Sequence, residues 1–167
     1  MISLDKIKVI FTDFDDTVCI HIYDRLSMDH EAYLHAMYTG DVNFYLNKER
    51  YAVQPDVAAF LSLCHLAGKD VICLTWNQSS APLKPKKAFL EKELGNIVDD
   101  LFVAGTRDAK LKVVIDYCKV HGIELDEVLL IDDHPSTLHE FRTAGIEAIS
   151  PVVLTVDLAK VFDMSKL

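Results

Sequence analysis

Aspartates follow two apolar segments of the sequence, at places where short strands are expected to end. Asp13 and Asp15 follow the first segment, and Asp132 and Asp133 follow a later one. Ligands of an open α/β sheet bind at the carboxyl ends of its strands, so these four acids are predicted to lie close together. Two carboxylates about 4 Å apart repel by roughly 4 kcal/mol at an effective dielectric constant of 20, so the cluster requires a cation. An all-oxygen ligand set with room for water and phosphate is what Mg²⁺ prefers.

Groups that could bind a phosphate follow the other strands. Thr75 ends an apolar segment, and its hydroxyl could donate to a phosphoryl oxygen. Trp76 and Asn77 could line the same pocket, or could be a packed aromatic and a turn residue. Lys110 is predicted in the first turn of a helix, where the helix dipole disfavours a cation by a few tenths to about 1 kcal/mol. That position is understandable if Lys110 faces bound phosphate and Asp13.

Some of the charged residues could have a structural role and not a functional one. Asp133, just before Pro135, could cap a helix N-terminus, although capping does not explain acids at two strand ends. The basic run of Lys84, Lys86 and Lys87 could contact an anionic substrate. We interpret that run instead as the solvated start of a helix.

Short apolar strands alternate with amphipathic helices and must position these residues. Strands are predicted at residues 7–12, 70–75, 101–104, 128–131 and 146–149. Helices are predicted from Pro55 to just before Gly68, across residues 80–94, over the stretch that Lys110 opens and Gly122 closes, and from Pro135 to Gly145. This alternation predicts an α/β fold, a three-layer doubly wound parallel sheet with right-handed crossovers, in a single domain of residues 1–167.

One segment, residues 18–53, breaks the alternation after the first strand. It is rich in Tyr and His, and a helix from Ser27 to Tyr38 is predicted within it, ending at Gly40. The segment is too short for a second full core, so we interpret it as a small insertion or cap.

Composition narrows the classes of partner and compartment. The net charge of −9 and the pI near 5.1 argue against a general nucleic-acid binder, which needs a basic surface. No apolar stretch approaches the roughly 20 residues of a membrane span, and the N-terminal residues lack a signal-peptide pattern. Four cysteines without metal-type spacing favour reduced, buried thiols, so a cytoplasmic protein without membrane contact is expected.

The ordered motifs resemble those of the haloacid dehalogenase superfamily. They comprise a strand running into Asp13-x-Asp15-x-Thr17, a strand ending in Thr75, a helix opened by Lys110, and a strand ending in Asp132-Asp133. The set spans about residues 7 to 150. The resemblance implies a haloacid dehalogenase-like sheet with strand order 5-4-1-2-3, counted along the chain with the first strand central.

The resemblance also implies roles for these residues in a magnesium-dependent phosphomonoesterase. Asp13 would attack phosphorus to form an aspartyl-phosphate, and Asp15 would act as general acid and then general base. Thr75 and Lys110 would hold the transferring phosphoryl group. Mg²⁺ would be bound by the Asp13 carboxylate, the Asp15 main-chain carbonyl and Asp132, with Asp133 binding directly or through water. An acid at Asp15 disfavours the halide-displacing reaction, which has no leaving oxygen to protonate.

Several alternatives stay open at the level of sequence. A phosphotransferase or mutase of the same superfamily would pass the phosphoryl group to a substrate hydroxyl. A non-catalytic receiver-like module also clusters acids with a threonine and a lysine.

The adjacent acids Asp132 and Asp133 differ from the commonest family pattern, which leaves their division of roles open. A small cap implies an open site, which suits a macromolecular phosphate or closure by a second subunit of a homo-oligomer. The substrate could be a small phosphorylated molecule or a macromolecular phosphate. A nucleic-acid substrate is disfavoured by the acidic charge.

Overall fold

A computed structural model describes residues 4–22, 39–77 and 83–156, together with residues 31 and 35. Its strands are β1 (Val9–Thr12), β2 (Cys19–His21), β3 (Tyr51–Val53), β4 (Asp70–Trp76), β5 (Asp100–Ala104), β6 (Val128–Ile131) and β7 (Glu147–Ile149). Its helices are α1 (Pro55–Leu66), α2 (Leu83–Leu94), α3 (Lys110–His121), α4 (Pro135–Thr143) and α5 (Val152–Val156). Short 3₁₀ turns occupy Phe44–Leu46, Arg107–Ala109 and Leu125–Glu127.

Five parallel strands form the main sheet in the order β5-β4-β1-β6-β7. These are the five predicted strands, and reading the order from β7 gives 5-4-1-2-3 when they are counted along the chain. The predicted fold class and strand order are therefore confirmed. Helix α5 is the one helix in the described part of the chain that the periodicity did not predict.

Side chains of the central strands alternate between two buried layers, as a doubly wound sheet requires. Ile10 packs into a cluster with Val57 and Phe60 of α1. Phe11 points to the opposite face and packs into a second cluster with Val114 of α3. Burial on both faces explains why β1 is apolar throughout rather than alternating.

Helix boundaries follow local chemistry. Pro55 occupies the first turn of α1, and the Gln54 side chain accepts hydrogen bonds from the backbone N–H groups of Asp56 and Val57. Gly122 ends α3 with a left-handed φ of 65°, a conformation that other residues rarely adopt. The predicted helix across residues 80–94 is seen as α2 from Leu83, and residues 80–82 lie outside the described part.

The two ends of the predicted insertion pair with each other. Strands β2 and β3 form a separate antiparallel sheet in which Cys19 lies opposite Val53. Tyr45 and Tyr51 from this segment are buried against the main core. The predicted helix from Ser27 to Tyr38 lies outside the described residues except for residues 31 and 35. Within the described residues, no helix is both long and apolar enough to span a bilayer.

Candidate active site

The register of the three central strands places the two pairs of acids at one edge of the sheet. Thr12, the last residue of β1, lies opposite Cys73 of β4 and Ile131 of β6. The next residue, Asp13, continues the ladder by donating its backbone N–H to the carbonyl oxygen of Ile131 over 2.8 Å. Asp13 and Asp132 therefore leave adjacent strands side by side.

Three carboxylates converge at this edge. Asp13, Asp132 and Asp133 each offer one oxygen, and the three oxygens lie within 4.8 Å of one another. Asp13 and Asp132 are buried, whereas Asp133 is exposed. These are three of the four predicted metal ligands. The carboxylate of the fourth, Asp15, is not in this group, and its predicted contribution is the main-chain carbonyl.

Lys110 joins the two buried acids. It begins α3, and its Nζ donates to Asp13 Oδ1 over 2.6 Å and to Asp132 Oδ2 over 2.8 Å. The second oxygen of Asp132, Oδ1, accepts the backbone N–H of His134 over 2.8 Å. The unusual position of a lysine at a helix start thus matches its contact with Asp13, as the sequence predicted.

Burial and an excess of negative charge shift the pKa values of the groups in this cluster. Burial raises the pKa of Asp13 to about 7; Lys110 opposes this rise, while the charges of Asp132 and Asp15 add to it. Burial lowers the pKa of Lys110, but its two carboxylate partners outweigh burial and raise that pKa above the ordinary value. Desolvation and the charge of Asp132 raise the pKa of Asp133.

Asp15 lies in a separate set of contacts that the sequence did not predict. Lys86 donates to Asp15 Oδ2 and to Thr75 Oγ1, each over 2.6 Å. Tyr45 donates to the other oxygen, Asp15 Oδ1, over 3.1 Å. Lys86 is 1% exposed. Its interpretation as part of a solvated basic run is wrong, although Lys84 is exposed as that interpretation requires.

A signal for Lys86 was present in the spacing of α2. Phe89 and Leu90 are buried three and four residues after Lys86, and residues at that spacing share one face of a helix. Lys86 therefore lies on the apolar face of α2, while Lys87 lies on the exposed face. Tyr45 offered no comparable signal, because it reaches Asp15 from a segment whose structure the sequence left unassigned.

Trp76 and Asn77 lie at the end of β4, beside Thr75. Trp76 is 39% exposed, and the Arg107 guanidinium lies over its ring, 5.6 Å from the ring centroid. Arg107 also donates from Nη1 to His134 Nε2 over 2.9 Å. Asn77 donates its backbone N–H to the carbonyl oxygen of Ala104. Their predicted contact with substrate stays a prediction.

The donor chemistry of this edge fits a divalent metal ion. Buried polar side chains in the described part of the chain are concentrated at the carboxyl ends of β1, β4 and β6 and on the helices that face them. Burial of charged groups there is costly unless the charges are paired. The charged groups here are four carboxylates and two ammonium groups, those of Asp13, Asp15, Asp132, Asp133, Lys86 and Lys110. Two negative charges remain in excess, and hard oxygen ligands suit Mg²⁺.

Comparisons of the sequence identify no relatives. No family model matches the chain, and no curated protein matches it.

Comparisons of the structure identify proteins with the same architecture. A haloacid dehalogenase-like hydrolase from Streptococcus pneumoniae matches with a TM-score of 0.55 at 14% identity, over 87% of this chain and 85% of that one. An archaeal beta-phosphoglucomutase from Pyrococcus sp. strain ST 04 has a TM-score of 0.55 at 13% identity, over 85% of each chain. The N-terminal part of a Bacteroides fragilis protein, containing a phosphatase domain complexed with Mg, has a TM-score of 0.54 at 13% identity, over 86% of this chain and 35% of that one.

The protein therefore belongs to the class of doubly wound α/β proteins, and its acid-rich site lies at the carboxyl edge of the parallel sheet. At these identities the likeness defines the fold, and the chain has the haloacid dehalogenase-like fold that its motifs predicted. The chain spans 65% of a matching hypothetical protein from Xanthomonas campestris, as it spans only part of the Bacteroides protein, so it corresponds to a portion of these longer chains.

Proposed function

We propose that this chain is a magnesium-dependent phosphomonoester hydrolase that acts through an aspartyl-phosphate on Asp13. The observation that carries the proposal is the convergence of the Asp13, Asp132 and Asp133 oxygens within 4.8 Å, with Lys110 bridging the first two. The structural neighbours that include a phosphatase domain complexed with Mg support the same reading.

The residues of the chain suit a reaction in two displacements. In the first, an oxygen of Asp13 bonds to phosphorus as the bond to the leaving oxygen breaks, and Asp15 gives that oxygen a proton. In the second, Asp15 takes a proton from water as the water oxygen bonds to phosphorus, which releases phosphate and restores the Asp13 carboxylate. The two acids have different neighbours, since Lys110 binds Asp13 while Lys86 and Tyr45 bind Asp15.

Mg²⁺ would be held by Asp13, Asp132, Asp133 and the main-chain carbonyl of Asp15. When bound, it would supply positive charge against the phosphate and the acids. Lys110 and the Thr75 hydroxyl are the chain's own groups for binding phosphoryl oxygens. The substrate is a phosphorylated small molecule or a macromolecular phosphate, and a nucleic acid is disfavoured by the net charge of −9.

The test is hydrolysis of a panel of phosphoesters, including para-nitrophenyl phosphate, with Mg²⁺ or with EDTA. We expect Mg²⁺-dependent release of phosphate by the wild type and its loss in Asp13→Asn. That variant keeps the size of the side chain but removes the nucleophilic oxygen. Absence of phosphate release by the wild type from every ester would overturn the proposal.

The same assay separates hydrolysis from phosphoryl transfer. The beta-phosphoglucomutase neighbour shows that this fold is not confined to hydrolases. A transferase would consume an ester only when an acceptor hydroxyl is added. A receiver-like module would instead hold its aspartyl-phosphate for hours. Protein quenched with acid after that time would still carry the phosphoryl group.

A further inference from the structure

Lys86 is a buried cation on a helix that contributes no residue to the predicted site. Its side chain is 2% exposed, and it lies in the first turns of α2 with its nitrogen 4.9 Å from the centroid of the Phe14 ring. An ammonium group is costly to bury unless it is paired and hydrogen-bonded. Its partners therefore indicate why a lysine occupies this position.

Lys86 has two hydrogen-bond partners in the described part of the chain, and both belong to the proposed chemistry. An ammonium has three protons and no lone pair, so the Thr75 oxygen must accept in the 2.6 Å contact. The hydroxyl proton of Thr75 is then directed away from Lys86 and is available to a phosphoryl oxygen. Lys86 thus fixes Thr75 as a donor.

The second partner of Lys86 is the proposed general acid. Lys86 holds Asp15 Oδ2, and Tyr45 holds Asp15 Oδ1. Tyr45 is itself buried and packs edge-on against Phe14, with ring centroids 4.9 Å apart. The carboxyl group of Asp15 is half-exposed, yet both of its oxygens have a partner from a buried residue. One side-chain orientation is therefore selected.

We propose that Lys86 is a positioning residue that holds Asp15 at the leaving oxygen of the substrate, while its contact with Thr75 adds a smaller effect that is the same for every ester. This inference rests on the proposed function and goes beyond the ordered motifs, none of which contains Lys86. It assigns to α2 a part in leaving-group departure. A lysine that served only the stability of the fold would not affect one class of ester more than another.

Leaving-group dependence tests this role. Proton donation matters most when the departing oxygen is basic, so the series compares phenyl, para-nitrophenyl and 2,4-dinitrophenyl phosphates, which differ little in size. The parameter is kcat/KM, which covers the steps up to departure of the phenol. Lys86→Met removes the ammonium at similar volume, and Lys87→Met is the matched control because Lys87 is exposed and its ion pair with Glu91 is long, at 3.9 Å.

We expect Lys86→Met to lower kcat/KM about 100-fold for phenyl phosphate but less than about 5-fold for 2,4-dinitrophenyl phosphate, within the range that general acids supply. Lys87→Met should match the wild type on all three esters. In an Asp15→Asn background, Lys86→Met should no longer discriminate between the esters, since the group through which it acts is gone.

A uniform loss across the three esters, or no loss, would overturn this inference while leaving the proposed function intact. If Lys86→Met does not fold, Lys86→Gln provides the same test with a neutral polar side chain, and the same uniform result would count against the inference. If the wild type hydrolyses none of the esters with Mg²⁺, the proposed function fails first and this inference fails with it.

Discussion

Lys110 is the residue whose removal most directly tests the electrostatics of the site. Lys110→Met deletes the ammonium that Asp13 and Asp132 share, with little change in side-chain volume. In metal-free protein the two buried carboxylates then face each other without a cation. We expect the variant to fold less stably for this reason alone.

The size of the effect follows from the geometry. Oxygens of Asp13 and Asp132 lie within 4.8 Å of each other. Two unit charges at that separation repel by about 3.5 kcal/mol at an effective dielectric constant of 20. Removal of one partner from a buried ion pair costs about 3–5 kcal/mol. The free energy of unfolding should therefore fall by at most about 3–4 kcal/mol at pH 8 with EDTA, since Asp13 takes up a proton more readily once Lys110 no longer lowers its pKa.

Urea unfolding at two pH values, with EDTA and with excess Mg²⁺, measures this change. At pH 5 the loss should be smaller, because the raised pKa of Asp13, about 7, keeps that carboxyl protonated. Mg²⁺ should restore part of the lost stability at pH 8, since it supplies positive charge to the same acids. The control is Lys112→Met, which removes an exposed i,i+4 pair with Asp116 and should leave the free energy of unfolding nearly unchanged at both pH values.

The reasoning would be refuted by a loss at pH 8 of less than about 1 kcal/mol, because the shared ammonium would then not offset the repulsion. A loss of equal size at pH 5 and pH 8 would also refute it. Packing of the lysine stem, not charge, would then dominate.

Three further predictions concern metal binding, pH and helix capping. Mg²⁺ at about 100 times its dissociation constant should stabilise the protein by about 2.7 kcal/mol in thermal unfolding, and Asp132→Asn should abolish that shift. In EDTA, folded Asp13 keeps its proton from about pH 4 to about pH 7 whereas the unfolded chain releases it. Stability should therefore fall with rising pH in this window by at most about 4 kcal/mol, and Asp13→Asn should lack that slope in urea titrations. Gln54→Ala removes the acceptor for two backbone N–H groups of α1 and should cost about 1 kcal/mol in urea unfolding, with no change in Mg²⁺ affinity.

The sequence predicted the part of the site that the sheet positions. Asp13 and Asp132 directly follow paired residues of β1 and β6, so backbone hydrogen bonding alone brings them together. Lys110 could be predicted because a cation at a helix start is locally unfavourable and needs a nearby anion. In each case the signal is local, an apolar strand or a helix boundary next to a charged residue.

The part of the site that the sequence did not predict depends on packing between distant segments. Lys86 contacts Asp15 only because the apolar face of α2 packs toward the sheet. The neighbouring lysines made this part of the sequence look solvent-exposed, so the apolar face was not predicted. Tyr45 contacts Asp15 from a position 30 residues further along the chain, in a segment whose two ends pair as β2 and β3. No local pattern specifies either distance.

The residues at the phosphoryl end of the proposed site and the residue at its leaving-group end are held by different parts of the structure. Asp13, Asp132 and Lys110 are held by the main sheet and α3, which fixes the phosphoryl end of the site. Asp15, which faces the leaving group in the proposed reaction, is held by Lys86 of α2 and by Tyr45 of the predicted insertion. A change at Tyr45 can therefore alter which leaving groups are accepted while Asp13 and Asp132 keep their own contacts with Lys110. Hydrolysis of activated aryl phosphates should survive such changes better than hydrolysis of esters with basic leaving groups, because only the latter need a well-placed Asp15.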